Sequence, residues 1–432
     1  MKYKGPVNTN NNEAVPAPAE NRAWVLFILV VVYTFNWIDR QITGILAVPI
    51  KEDLGLTDTQ LGLMGGLAFA LFYTGLGIPV AMLADRVSRT WIMTVALTVW
   101  SGMTAVCGLA NSFWQLFLAR VGVGVGEAGG VAPAYSLITD FFPPHQRARA
   151  LSVYSFGIPI GSTLGIIFGG YIATVIDWRY AFFIVGLAGI ALAPIFRLTV
   201  REPERGRYDL SHQKDARPAR LGDLMRTLAT KPSFWLLILG ASCSSMMGYG
   251  LFFWLPSFLV RSFEMQLFDA SLFFGIIILV GGIAGIWTGG WLSDKLGADK
   301  KAWYALVPAI ASLGTVPFYF VALLSPNLAT VFMALLVPTA LGLAWLGPVI
   351  SAFQHLVRPN MRATASAVFL FVNNLIGIGV GTWVVGALSD ALALRFAADS
   401  LRYSILAGSV LYLVASVMFF LAARRIDDDW ER

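Results

Sequence analysis

Ala81-Met82-Leu83-Ala84-Asp85-Arg86-Val87-Ser88-Arg89 closes the second long apolar run of the chain, and its pattern returns as Gly290-Trp291-Leu292-Ser293-Asp294-Lys295-Leu296-Gly297 at the close of the eighth. A second pair keeps the same order: Pro144-His145-Gln146-Arg147-Ala148-Arg149 after the fourth run and Pro359-Asn360-Met361-Arg362-Ala363 after the tenth. Matching loops at matching places imply an internal duplication. Two parallel six-helix halves around a central substrate site are the architecture of rocking transporters.

Outward from these loops, the composition sets the class. Of 432 residues, 57% are hydrophobic and only 13% charged, and the mean hydropathy is +0.69. That is more apolar surface than a soluble fold buries, so the sequence predicts an all-α polytopic membrane protein. Runs of roughly 20 residues, enough to cross a bilayer, lie at about 23–48, 58–83, 90–110, 112–138, 148–175 and 178–199. A second six lie at about 233–260, 269–292, 303–324, 327–354, 364–389 and 401–423. The predicted organisation is a disordered tail 1–22, an N-half 23–200, a linker 201–232, a C-half 233–424 and a tail 425–432, with twelve spans. Residues 1–22 have no apolar core of the kind a cleaved signal peptide needs. In the linker, Leu221, Leu224, Met225 and Leu228 have the spacing of an amphipathic helix lying along the membrane surface.

The formal charge of +6 does not point to nucleic acid, because the basic residues fall in short loops between apolar runs. With the N-terminus inside, 24 of the 31 Lys and Arg lie on the cytoplasmic side. Lys51, Arg179, Arg261, Arg395 and Arg402 lie outside, and Arg40 and Arg120 lie within spans. Both termini are therefore expected in the cytoplasm. Cys107 and Cys243 sit in apolar runs and read as small buried hydrophobes. His145, His212 and His355 all fall in loops, and no HExxH, GxSxG or P-loop pattern occurs, so no enzyme, metal or cofactor site is expected.

Four charges lie where they are most costly. Asp39 and Arg40 fall in the first run, Arg120 and Glu127 in the fourth. A charge at bilayer depth costs about 3 kcal/mol or more, so such groups pair or line a wet cavity. Arg120 and Glu127 are seven apart and share one helix face, which Gly124 between them is expected to leave open. Counting rise from opposite membrane faces puts Asp39 and Arg120 at similar depth, so these two are expected to pair. Glu127, deeper, is read as the proton carrier, alternating between a neutral form and an Arg120-paired form. Arg40 is read as snorkelling to the outer surface.

The repeated loop resembles the signature of the major facilitator superfamily, with Ala81 and Ser88 where glycine is usual. Three further stretches narrow the resemblance: Phe35-Asn36-Trp37-Ile38-Asp39-Arg40, Ala119-Arg120-Val121-Gly122-Val123-Gly124-Val125-Gly126-Glu127-Ala128, and Gly157-Ile158-Pro159-Ile160-Gly161-Ser162-Thr163-Leu164-Gly165. Together with Asp177-Trp178-Arg179, they are similar to the spinster-type branch, across the whole chain except tail and linker. The resemblance implies a bacterial-inner-membrane or equivalent transporter of lysophospholipid-like or sphingosine-phosphate-like molecules. It also implies that the first and fourth helices line the central cavity.

The C-half has no charge well inside a span. Its cavity candidates are neutral: Ser242, Ser245, Tyr249, Trp254, Trp345, Asn373 and Asn374, alongside Asn36 in the N-half. An anionic head would meet the N-half charges and an apolar body the C-half wall, as pockets combine few polar groups with apolar lining. Asp85, Arg86 and Arg89, with Asp294 and Lys295, are expected to form a charge latch that holds in one conformational state. The expected function is a monomeric, proton-coupled secondary transporter of an amphipathic anion working by alternating access, with membrane lipids and protons as its other partners. Two alternatives remain open at this point: a carrier of a small hydrophilic organic anion or sugar acid, and a passive lipid scramblase or channel.

Overall fold

The structure is a computed structural model that describes residues 22–84, 86–205, 221–358 and 361–430. Residues 1–21 of the predicted tail, Asp85, residues 206–220 of the linker, 359–360 and 431–432 lie outside the described residues.

Every regular element described is helical. The N-half comprises α1 (Arg22–Ile45), α2 (Ala47–Leu54) and α3 (Asp58–Gly62), which continues through a π turn at Leu63–Leu67 into α4 (Ala68–Ala84). Then come α5 (Arg89–Cys107), α6 (Phe113–Glu127), α7 (Val131–Phe141), α8 (Pro144–Ser155), α9 (Gly157–Val175) and α10 (Trp178–Thr199). A connecting helix α11 (Leu221–Ala229) leads to α12 (Pro232–Phe263), α13 (Leu267–Gly297), α14 (Trp303–Leu324), α15 (Leu328–Leu343) and α16 (Leu346–His355). The last elements are α17 (Arg362–Asn374), joined by a π segment at Leu375–Val380 to α18 (Gly381–Phe396), then α19 (Ser400–Gly408), α20 (Val410–Ala423) and α21 (Ile426–Asp429).

Ten described segments are long and apolar enough to cross a membrane, against twelve predicted. One of the ten, Ala365–Ala423, has 59 residues, length for two crossings, and a 3-10 turn at Ala397–Asp399 divides it. The fourth expected span is broken into α6 and α7, because Ala128, Gly129 and Gly130 form a turn. Glycine favours such a break since it loses more freedom in a helix than other residues.

Within the N-half α5 packs on α10 and α6, and α1 on α9; within the C-half α20 packs on α12 and α14, and α13 on α15. Between the halves α9 meets α13, α1 meets α12, and α3 meets α18. Glycines make these contacts close. A Cβ on Gly124 would lie 2.5 Å from the Phe69 carbonyl oxygen, and one on Gly161 would lie 2.5 Å from that of Thr34. Gly124 therefore does not leave its face open: it admits the backbone of α4, the small-residue packing of membrane helices.

The connecting helix packs against the C-half. Leu224 and Leu228 are fully buried in a cluster with Phe234, Leu237 and Phe353, and the Trp235 indole donates to the Leu228 carbonyl at 3.1 Å. Leu224 and Leu228 of its apolar face are thus covered by the C-half, while Met225 stays exposed. The C-terminal segment is docked too. Asp429 accepts from the Ser233 amide at 2.9 Å, and Trp430 stacks on His355 with centroids 5.0 Å apart.

The close approach at Gly124 is testable against an open neighbour. Gly124→Ala is expected to lower the thermal stability of the detergent-solubilised protein by about 1–3 kcal/mol, the cost of overpacking. Gly75→Ala, where a Cβ meets nothing within 4 Å, is expected to leave the melting temperature unchanged or slightly raised.

Candidate functional site

The α1 sequence places Asn36, Asp39 and Arg40 within about one turn, and α6 places Arg120 and Glu127 two turns apart. The helices face each other so that two ion pairs cross between them. Arg120 Nη1 donates to Asp39 Oδ1 at 3.2 Å, and Arg40 Nε donates to Glu127 Oε2 at 2.8 Å. Asp39, Arg120 and Glu127 are each at most 1% exposed. The Thr104 hydroxyl of α5 also bonds Asp39 Oδ2.

This pairing corrects two expectations. Glu127 is bound by Arg40 and not by Arg120, and Arg40 does not snorkel outward. The physical reason is spacing. Seven residues of rise separate Arg120 from Glu127 by about 10 Å along the axis, too far for one guanidinium to serve both Asp39 and Glu127. Asp39 and Arg40, being consecutive, point about 100° apart, so each reaches a different α6 partner. Aromatic rings hold Arg40 inside: its guanidinium lies 4.6 Å from the Tyr73 ring centre, 4.9 Å from Phe69 and 5.1 Å from Trp37.

The central cavity takes Trp37, Arg40, Gln41, Gly44, Gly65, Phe69 and Arg120 from the N-half. Tyr249, Phe252, Phe253, Ile378 and Thr382 come from the C-half. Arg40, Arg120 and Tyr249 are thus the candidates that line it. The others lie elsewhere. Glu127 stands behind Arg40, and Asn36 is buried with neither amide atom hydrogen-bonded among the described residues. Trp254 is fully buried and donates its indole N–H to the Thr382 carbonyl at 2.8 Å, a packing role between α12 and α18. Trp345 belongs to the apolar cluster around Phe353 and Phe369. Asn373 accepts from Ser245 at 3.0 Å, and Asn374 is half-buried. Of the lining groups missed, Gln41 carried a signal, a polar residue inside an apolar run; Phe69, Phe252 and Phe253 carried none among 30 phenylalanines.

The repeat residues make contacts within their own halves. Arg89 is buried and bonds Asp140 at 2.5 Å, Glu202 at 2.7 Å and the Ser136 hydroxyl at 2.7 Å. Burial alone would lift the Glu202 carboxyl, but the Thr90 amide, Arg89 and Ser88 donate to it and hold it below its ordinary range. Arg86 is exposed, Asp294 accepts from the Tyr304 hydroxyl at 3.3 Å, and Lys295 lies 5.0 Å from the Trp291 ring centre. Asp85 lies outside the described residues.

Polar contacts between the halves gather at the end away from the chain termini. Asp58 of α3 accepts from Arg261 at 2.7 and 2.8 Å, from Lys51 at 2.6 Å and from Ser389 at 2.8 Å. In return Asp390 of α18 accepts from the Asp58 amide at 3.1 Å, the Thr59 amide at 2.7 Å and the Thr59 hydroxyl at 2.6 Å. This reciprocal clasp was invisible in the sequence because its members are spread over four loops and helix ends.

The sequence pattern of the Major Facilitator Superfamily matches residues 29–382. The chain is 35% identical over 413 residues to an MFS-type efflux pump of Mycolicibacterium smegmatis, covering 94% of each. It is 31% identical to protein spinster homolog 1 of Bos taurus, covering 86% of this chain and 73% of that protein. Its fold matches crystal structures of a bacterial homolog of the human lysosomal transporter spinster in inward-facing states. The TM-score is 0.88 for the unoccupied and 0.85 for the occupied form, with 33% identity over 96% of this chain.

Removing one member of the Arg40–Glu127 pair leaves a buried charge without its partner. Arg40→Gln is expected to cost about 3–5 kcal/mol of stability. The double variant Arg40→Gln with Glu127→Gln should recover a large part of that loss. Thermal unfolding of the native protein, the two single variants and the double variant in one detergent reads the difference; a double-variant loss equal to the sum of the two single losses would mean that the pair is not energetically coupled.

Proposed function

We propose, from the premise that this chain belongs to the Major Facilitator Superfamily and is a spinster-like transporter of it, that its cargo is an amphipathic anion moved by proton-coupled alternating access. The observation that carries this reading is the two-sided cavity. Two guanidinium groups line one side, and Arg40 Nη2 and Arg120 Nε have no hydrogen-bond partner among the described residues. Phe252, Phe253 and Ile378 line the other. A lysophospholipid or sphingosine-phosphate-like molecule matches both sides at once, its anionic head at the arginines and its chain along the apolar wall.

Coupling follows from the crossed pairs. When Glu127 takes a proton it ceases to neutralise Arg40, and the guanidinium becomes the counter-ion of the cargo head. Loss of the proton restores the pair and expels the head. The Glu127 carboxylate and the cargo head thus compete for one cation, and protonation of Glu127 decides for the cargo, the differential interaction that any ligand-driven conformational change requires. The basic-residue bias supports a membrane orientation with both termini in the cytoplasm. In that orientation the Asp58–Arg261–Asp390 clasp seals the outer side and the cavity loads from within.

A passive pathway would show the same affinity without accumulation, and a carrier of hydrophilic organic anions would show no dependence on chain length. Three measurements with purified protein separate these. Binding of lysophospholipids should tighten by up to about fourfold for each CH₂ fully buried, or about 0.8 kcal/mol. Arg120→Ala should weaken anionic lysolipids by about 10- to 100-fold while leaving neutral analogues nearly unchanged, the loss of one charge-assisted partner. Glu127→Gln, which mimics a permanently protonated carboxyl, should abolish pH-driven accumulation in proteoliposomes while retaining exchange. Robust binding of sugar acids with no chain-length trend would overturn the lipid reading.

A further inference from the structure

We propose that the C-half holds a second, apolar subsite behind Phe252, and that the far end of the cargo's alkyl chain occupies it. The subsite is a pocket inside the C-half bundle itself, away from the contact between the halves. Gly248 and Phe252 of α12, Tyr319 of α14, Thr339 and Gly342 of α15 and Tyr412 of α20 line it. Phe252 also lines the central cavity, so one ring stands between the two spaces. Tyr319, Thr339, Gly342 and Tyr412 are buried, whereas Gly248 and Phe252 are half-buried. The mouth of the pocket therefore lies at its α12 side, beside the central cavity. Phe252 rests edgewise near Phe274, with ring centroids 6.1 Å apart. Turning about its two side-chain torsions moves the ring aside while α12 stays in place.

The chemistry of the wall decides what enters. The Thr339 hydroxyl donates to the Leu335 carbonyl at 2.8 Å. The Tyr319 and Tyr412 rings stack with centroids 5.8 Å apart, and their hydroxyls are hydrogen-bonded to each other. These polar atoms are satisfied within the wall, and the described lining residues carry no charge. A buried water or an anionic head would find no free partner there, whereas an alkyl segment needs none and leaves water by entering. Gly248 keeps the entrance wide. A Cβ on it would meet nothing within 4 Å, and it lies one turn before Phe252 on the same face of α12. With the head at Arg40 and Arg120 and the chain end behind Phe252, the two spaces form one path, and the depth of the pocket limits the chain length that fits. This occupant rests on the lipid reading above.

Binding of lauroyl and stearoyl lysophosphatidylglycerol to the purified full chain tests the subsite. The stearoyl lipid should bind the native protein more tightly. Gly248→Leu, whose side chain projects into the pocket mouth, should cut the stearoyl-to-lauroyl affinity ratio by about 10-fold or more, the worth of roughly two methylenes at up to about fourfold each. A stearoyl probe with a diazirine at its chain end, irradiated on the native protein, should label α14 and α20 around Tyr319 and Tyr412, and excess unlabelled stearoyl lipid should suppress that labelling. Labels confined to Phe69, Phe253 and Ile378 of the central cavity, or an unchanged ratio in a folded Gly248→Leu protein, overturn the subsite; the labelling decides alone if the variant does not fold. Failure of the lipid reading looks different: the native protein binds neither lipid, or both equally, and the subsite falls with it. Binding that tightens with chain length while the labels stay in the central cavity refutes the subsite alone.

Discussion

Two oppositely charged pairs crossing between α1 and α6, each with its carboxylate at most 1% exposed, form the constraint on which the rest depends. Each pair must be made with good geometry, since an unpartnered charge at that depth is far more costly than a paired one. That requirement fixes the height of α1 against α6. It also explains the glycine at position 124. There α4 approaches until the Phe69 carbonyl touches Gly124, and the same residue lays its ring 4.9 Å from the Arg40 guanidinium and 5.7 Å from that of Arg120. One phenylalanine thus packs the helices, supports both cations and forms a wall of the cavity. A side chain at 124 would push all three functions apart.

The far end of the molecule answers a different demand, joining the halves without fusing them. Asp58 and Asp390 each receive several donors from the opposite half or the loop beside them, yet the links are side chains and helix ends that can part without unfolding a helix. The tail end is organised the other way. Arg89, Asp140 and Glu202 bind residues of the N-half to one another, and α11 with the Ile426–Trp430 segment binds the C-half together. Stiff halves and a separable clasp are what a rocking cycle needs.

Much of this was legible in the residues, for reasons that differ from place to place. The repeated loops and apolar runs carry the fold because bilayer length and backbone hydrogen bonding leave few alternatives. Asp39, Arg40, Arg120 and Glu127 stand out because charge inside an apolar run is rare. Their partnership was not legible: pairing Glu127 with Arg120 followed from a shared helix face, whereas the choice depends on the rotation of α1, which no local spacing encodes. Trp254 and Trp345 show the same limit, since an aromatic in a span reads alike whether it lines a cavity or packs a core. The connecting helix shows it once more: Leu224 and Leu228 marked an apolar face correctly, but the sequence could not say whether lipid or protein would cover it. Asp58 and Asp390 lie 332 residues apart and pair through backbone amides, a contact without any sequence signature.

The central claim is that competition between the Glu127 carboxylate and an anionic head for Arg40, switched by a proton on Glu127, drives uphill movement. Its most direct measurement is simultaneous proton and cargo flux in proteoliposomes of the native protein, with an imposed pH gradient and a lysophospholipid probe. The account predicts cargo accumulation against its own gradient, a proton movement that appears only with cargo, and loss of both on adding a protonophore. Cargo flux that merely dissipates the cargo gradient, at the same rate with and without the pH gradient, would contradict it.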